Sequence, residues 1–390
     1  MDLPGLTDAE ALLLQQMRAR LVGLIESAGG ALPFDSYMEA ALYTPQLGYY
    51  VNGRRRFGEA GDFVTAPEVS PLFSRCLAQQ VAQCLGKLGG GKVLEVGAGS
   101  GRMAADMLAA LEALDALPER YQILELSPDL QEAQRQTLGA SVSHLLDRVE
   151  WLSGLPEPGF CGVLVGNELL DAMPVHRFRR AGQAWQELSV AIDEEDGLCD
   201  QWAAPGSPGL AEAIDALQPH LTTMDDGYSS ELNLRLSPWI EAVAASIRRG
   251  YVLLIDYGYP QCEYYHAERR QGTLICHFRH RAYADPYLLP GLQDMTANVD
   301  FTALARAALQ AGFELAGYTT QAHFLIDNGL DRMLSKSDPA ALQQHMQVMQ
   351  GVKKLTLPGE MGERFKVMAL ARDVPTSLSG FRSRDLRGRL

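Results

Sequence analysis

The sequence predicts a doubly wound α/β fold on a mostly parallel sheet. Three observations carry that prediction. Short apolar runs alternate with segments of helical period from Lys92 to Tyr257, as strands and crossover helices do. The first of these runs ends in GAGSG (Gly97–Gly101), a tight strand-to-helix turn that open sheets place beside a ligand crevice. The chain is 390 residues long, 47% hydrophobic and 21% charged, so it can bury a sizeable core.

The elements follow in order. Residues 8–28 read as an amphipathic helix, with Thr7 as N-cap and Glu10 completing a capping box. A second short helix, near Asp35–Leu42, leads into the turn TPQLGYY. Residues 52–62 are rich in glycine and charge and read as a mobile loop, and a helix spans Pro71–Leu85. Strands are expected at Lys92–Val96, Tyr121–Glu125, Val149–Leu152, Gly162–Asn167, Tyr251–Tyr257, Gly312–Tyr318 and Phe365–Ala371. Helices are expected at Arg102–Leu117 and Pro128–Leu138, the latter with proline in its first turn.

Between the fourth and fifth strands, Val175–Arg179 and Trp185–Ile192 alternate as a hairpin does. The pattern divides into a helical N-terminal cap (1–90) and an α/β domain (91–372). That domain carries insertions at 176–249 and 321–350, and a Ser/Arg-rich tail (373–390) should be flexible.

The formal net charge is −14, which argues against non-specific binding to nucleic acid. No stretch approaches the run of about 18 apolar residues that a membrane helix needs. The N-terminus lacks a basic leader region. The six cysteines form no C-x-x-C pair, fit no zinc spacing and read as reduced thiols. These readings place the protein in the cytoplasm, with no metal and no membrane insertion.

The glycine turn has a chemistry of its own. Gly97, Gly99 and Gly101 let the backbone turn tightly and let a ligand approach the next helix. Glu125 ends the following strand and is placed to bind both hydroxyls of a ribose. A dinucleotide site wants G-x-G-x-x-G/A, and here Arg102 occupies the third position. An S-adenosylmethionine site wants an acid two residues before G-x-G-x-G. Glu95 supplies it and can hold the methionine ammonium through water.

The segments GDFVTAPEVSPLF (61–73), LEVGAGSG (94–101), NELLDAMPVHRF (167–178), LLIDYGYP (253–260), LQDMTANVDF (292–301) and EMGERFKVMAL (360–370) occur together and in order. Over residues 30–372 the chain resembles the MidA-like family of class I methyltransferases. That resemblance implies a Rossmann-like seven-stranded sheet, S-adenosyl-L-methionine as cofactor and a protein substrate. For the mitochondrial members it implies symmetric dimethylation of an arginine on a subunit of respiratory complex I. Asn298 stands where the family often has histidine.

Methyl transfer needs alignment and desolvation more than acid–base chemistry. A guanidinium acceptor adds a demand for carboxylates that hold it bidentately. Asn167 and Glu168, closing the fourth strand, are the candidates for acceptor orientation, with Asp171 as a second carboxylate; the alternative is that Asp171 caps a helix and Glu168 is solvated. Asp256 either faces the crevice or bonds its own turn. The GDF-x-T-x-PE loop is expected to contact the cofactor through Gly61, Thr65 or Glu68. Arg54–Arg56 read as a solvated charge cluster, and His277 and His280 as a polar network. Two other readings stay open: an assembly factor that keeps the fold without turnover, and a small-molecule methyltransferase. A homodimer through exposed insertions is compatible with either.

Overall fold

The computed structural model describes residues 5–53, 64–335 and 342–390. The chain forms two compact units. One comprises residues 64–169, 239–258 and 301–390; the other comprises residues up to 63 together with 170–238 and 259–300.

The first of these holds the parallel sheet. Its strands are β1 (Lys92–Val96), β2 (Tyr121–Leu124), β3 (Val149–Leu152), β4 (Phe160–Asn167), β5 (Ile247–Tyr259), β6 (Glu314–Thr320) and β7 (Phe365–Arg372). They run in the order β6-β7-β5-β4-β1-β2-β3. Along this path β7 runs opposite to the other strands, antiparallel to both β5 and β6. Among the described residues the sheet counts eight strands, one more than the seven expected, because the two-residue strand Val299–Asp300 pairs with β5 off this path.

Both faces of the sheet are buried, as βαβ crossovers require. On one face Val93, Val163, Leu253 and Val367 join a core with Leu77 and Leu108. On the other face Leu94, Leu164, Val252 and Leu370 are equally buried. The crossover helices are α1 (Pro71–Leu88), α2 (Arg102–Ala113) and α3 (Pro128–Val142). Ser70 caps α1 ahead of Pro71, and Ser127 caps α3 ahead of Pro128, two sequence signals that define where these helices begin.

The order of strands reverses at β1. The register aligns Val96 with Leu124 on one side and with Gly166 on the other. Asn167 in turn lies opposite Ile255 of β5. Gly97, Glu125, Glu168 and Asp256 therefore all emerge from the same carboxyl edge of the sheet, where open α/β sheets bind ligands.

The other unit is antiparallel. The helix Asp8–Ser27 begins at Thr7 with the predicted capping box formed, and a second helix spans Phe34–Tyr43. His176–Ala181 and Ala184–Ile192 form the predicted hairpin, which turns at Gly182. It is extended by Leu32–Pro33, Leu198–Ala203 and Ser229–Leu232. A three-stranded sheet joins Ile275–Phe278, Arg281–Tyr283 and Asp294–Thr296. These last strands have three or four residues each, too short to leave a period-2 signal.

Three further differences from the sequence reading stand out. The helix after the glycine turn stops at Ala113 rather than Leu117. The 321–350 region is broken into Gln321–Asp327, Leu330–Leu334 and Leu342–Thr356, with Gly329 in a left-handed conformation at the first break. The tail expected to be flexible is instead held: Phe381 is buried against Phe324 at a ring separation of 5.7 Å. Gly380 N–H and Ser379 donate hydrogen bonds to Gln80 and Gln83 of α1. Residues 54–63, and with them the expected loop, Arg54–Arg56 and Gly61, lie outside the described residues.

Candidate active site

Glu95 is fully buried in β1. Its Oε2 accepts the hydroxyl of Tyr121, and its Oε1 has no hydrogen-bond partner among the described residues. Burial pushes its carboxyl up to about 7; the Tyr121 hydroxyl opposes that shift, and the neighbouring Glu125 adds to it. A buried carboxylate oxygen left open costs free energy until a donor arrives, so it marks a place prepared for a cation or a water.

Gly97 and Gly101 take φ of 74° and 80°. At Gly101, which opens α2, an added Cβ would lie 3.0 Å from Gln134 Cα. Gln134 is buried and ties the site together. Its amide donates to Gly99 C=O at 3.0 Å and to Glu125 Oε2 at 3.1 Å, while its carbonyl accepts Trp151 Nε1 at 2.9 Å. The backbone N–H of Ser127 donates to Glu125 Oε1 at 3.0 Å. Glu125 is thus clamped on the strand end.

Two more loops meet this edge. Thr65 lies at the start of the short helix Ala66–Val69, and Ser100 of the glycine turn donates to Glu68 Oε1. Glu168 sits at φ 50°, a conformation that costs a non-glycine residue about 1 kcal/mol or more. Its carboxylate accepts Ala66 N–H at 3.3 Å and Asn167 Nδ2 at 3.1 Å. Asn167 Oδ1 is buried with no partner among the described residues. Asp256 accepts Leu169 N–H at 3.1 Å and Tyr257 N–H at 2.9 Å. It braces the loop after β4 as well as its own turn.

The structure therefore brings together Glu95, Gly97, Gly99, Gly101, Glu125, Thr65, Glu68, Asn167 and Glu168 within one unit. Asp171 belongs to the other unit, buried, and no helix starts there for it to cap. Its C=O accepts Ala297 N–H at 2.9 Å. Asn298 donates its backbone N–H to Thr273 at 3.0 Å. His280 sits with Arg279 at the tip of a hairpin, both at positive φ, and Arg279 pairs with Glu10 at 2.8 Å. Tyr121, Ser100, Gln134 and Trp151 escaped the sequence reading. Ser100 lay inside the motif, but nothing in the spacing of the others marks them.

The comparisons with known proteins agree with this geometry. Residues 76–319 match the model of a family described as S-adenosyl-L-methionine-dependent methyltransferases. The chain belongs to this MidA-like methyltransferase family. Its curated relatives include the mitochondrial protein arginine methyltransferase NDUFAF7 of Homo sapiens, 30% identical over 87% of this chain and 80% of its own. The Danio rerio protein of that name is 27% identical over 88% of this chain and 84% of its own. A Burkholderia thailandensis protein crystallised with S-adenosyl-homocysteine is 42% identical, with a TM-score of 0.95 over the full length of both chains.

The MidA-like chain is thus an S-adenosylmethionine-dependent methyltransferase. Its open Glu95 oxygen and left-handed glycines fit that cofactor: an acid for the ammonium and a cradle a side chain would fill. One expectation is corrected. The curated relatives are named mitochondrial, which overturns the cytoplasmic placement drawn from the cysteines and the N-terminus. Among the described residues no helix is long and apolar enough to cross a membrane.

Proposed function

We propose that this methyltransferase acts on an arginine nitrogen of a protein substrate. The observation that carries the reading is Glu168, a carboxylate held in a strained backbone conformation at the strand edge beside the glycine turn. Strain of this kind persists where geometry serves a task. The names of the curated relatives, protein arginine methyltransferases at 27–30% identity, support the same acceptor class.

The roles then divide by position. The bound cofactor supplies an electrophilic methyl group on a sulfonium. Glu95 accepts the methionine ammonium through water, Glu125 the ribose hydroxyls, and Thr65 and Glu68 close over the turn. A guanidinium keeps its charge, with a pKa above about 12, so its nitrogen is a poor nucleophile until carboxylates localise that charge. Asn167 and Glu168 orient the acceptor at the strand edge. The first acceptor to examine is a subunit of a respiratory complex, as the family resemblance implies for mitochondrial members. Light scattering checks the homodimer.

Purified protein given labelled cofactor and cell lysate should place the label in methylarginine after acid hydrolysis. An Asn167→Ala/Glu168→Gln variant should lose about a hundredfold or more in rate, because positioning and charge stabilisation go together. Label recovered in another amino acid, or undiminished transfer by the variant, would sink the reading.

A further inference from the structure

Gln134 stands on the buried side of α3, at the centre of the cofactor edge, with no exposed surface. Both its N–H groups and its carbonyl are engaged. The N–H groups reach Gly99 C=O at 3.0 Å and Glu125 Oε2 at 3.1 Å, and the carbonyl accepts Trp151 Nε1 at 2.9 Å. Residues about one turn away on α3 complete the hold. Gln131 donates to the backbone C=O of Glu125 at 2.8 Å, and Thr137 donates to Ser100 C=O at 2.8 Å. One side of one helix therefore carries the glycine turn and the acid of the next strand together.

The Gln134 amide has two ways to lie in its slot. Its oxygen and nitrogen are nearly the same size, so packing does not select between them. Turned over, the carbonyl would face Gly99 C=O and a Glu125 carboxylate oxygen, acceptor against acceptor. The indole of Trp151 prevents this. Its N–H only donates, so the group it meets has to be the carbonyl, and the NH2 is left pointing at Gly99 and Glu125. Trp151 is itself fixed by β3, where it lies opposite Ile123 of β2, and by the guanidinium of Arg135, 4.6 Å over its ring.

A carboxylate holds a pair of neighbouring hydroxyls through O–H donors that have to meet its lone pairs, so the plane of the group decides the fit. In Glu125 two donors set that plane, Gln134 on Oε2 and Ser127 N–H on Oε1 at 3.0 Å. The Ser127 donor is a backbone group, so Gln134 is the side chain that completes the pair.

We propose that Gln134 and Trp151 are positioning residues that act through Glu125 to make the site select a ribose with both hydroxyls. The inference rests on the ribose role given to Glu125 above and adds the two side chains that make that acid selective.

The test is calorimetric titration of the full chain with S-adenosyl-homocysteine and with its 2′,3′-dideoxy analogue. The parent chain should bind the analogue at least about tenfold more weakly, the scale of a hydrogen bond to a charged group. In Gln134→Leu and in Trp151→Phe that ratio should shrink to about threefold or less. A merely structural role would weaken both ligands by the same factor and leave the ratio untouched. Because Trp151 acts through Gln134, the double variant should show the ratio of Gln134→Leu alone. Trp151→Phe removes a single N–H from a half-buried ring, so it carries the test even if Gln134→Leu does not fold. The parental ratio in either single variant, or a ratio in the double variant clearly below that of Gln134→Leu, would overturn the proposal. Glu125→Gln separates it from the reading beneath it. Loss of the ratio in Glu125→Gln but not in the other two variants defeats the positioning alone. The parental ratio in Glu125→Gln, or a parent chain that binds both ligands alike, defeats the ribose role and the positioning together.

Discussion

Glu95 shows how one side chain sets a pH dependence. Its carboxyl is raised from 4.5 to about 7 by burial, so the folded chain holds a proton there that the unfolded chain has already lost. A group that binds protons more tightly when folded stabilises at low pH, and stability falls as pH rises between the two values. For a fully buried group with this shift the loss from pH 4.5 to 7 is about 3 kcal/mol, with a flat profile above. Urea unfolding of the cofactor-free protein at pH 5 and pH 8 should show this slope, and Glu95→Gln should remove most of it. An unaltered slope in the variant would assign the effect to other groups. Glu95 and its glycines were legible in the sequence because the chemistry demands a fixed spacing. Tyr121 was not. It opens an ordinary strand, and only the register, with Glu95 opposite Ile123 and Tyr121 two residues back, brings it to the acid.

At the scale of elements, the turn between β1 and α2 depends on backbone that side chains resist. Gly101→Ala would have to adopt φ 80° and push into Gln134. The conformational cost alone is about 1–2 kcal/mol, and the displaced Gln134 would loosen Gly99 and Glu125 together. Calorimetric titration should show S-adenosylmethionine affinity falling more than the melting temperature does. The N-terminal helix makes a parallel case. Thr7 and Glu10 spelled out the capping box in advance, and the structure forms it. That Glu10 also receives Arg279 in a two-pronged pair at 2.8 and 2.9 Å could not be read, because the partner lies 269 residues away. Glu10→Ala should cost about 1–3 kcal/mol by removing both. Glu10→Gln, which keeps the cap, should cost clearly less in the same denaturation experiment.

For the whole molecule, the alternation of strands and helices pointed to the doubly wound class, whereas the order of the strands is visible only in the structure. Composition misled at the C-terminus. A Ser- and Arg-rich tail suggests solvation, yet Leu378 and Phe381 are buried and Gly317 leaves the room Phe381 fills: a Cβ there would lie 2.3 Å from its ring. Val374, Leu378, Phe381, Leu386 and Leu390 are scattered without a period, but one buried aromatic is worth about 3–5 kcal/mol. Phe381→Ala should therefore unfold at markedly lower urea, and removal of residues 376–390 should do at least as much. A tail variant as stable as the parent would return the segment to the solvent.

The open oxygen of Glu95 also makes cofactor uptake a proton-transfer event. An ammonium arriving near that carboxyl favours its ionised form, so below about pH 7 the protein has to release close to one proton to the buffer as it binds. The heat measured for one and the same association will then differ between phosphate and Tris, whose ionisation enthalpies differ. The difference should fade at alkaline pH, where the site has already emptied itself of the proton.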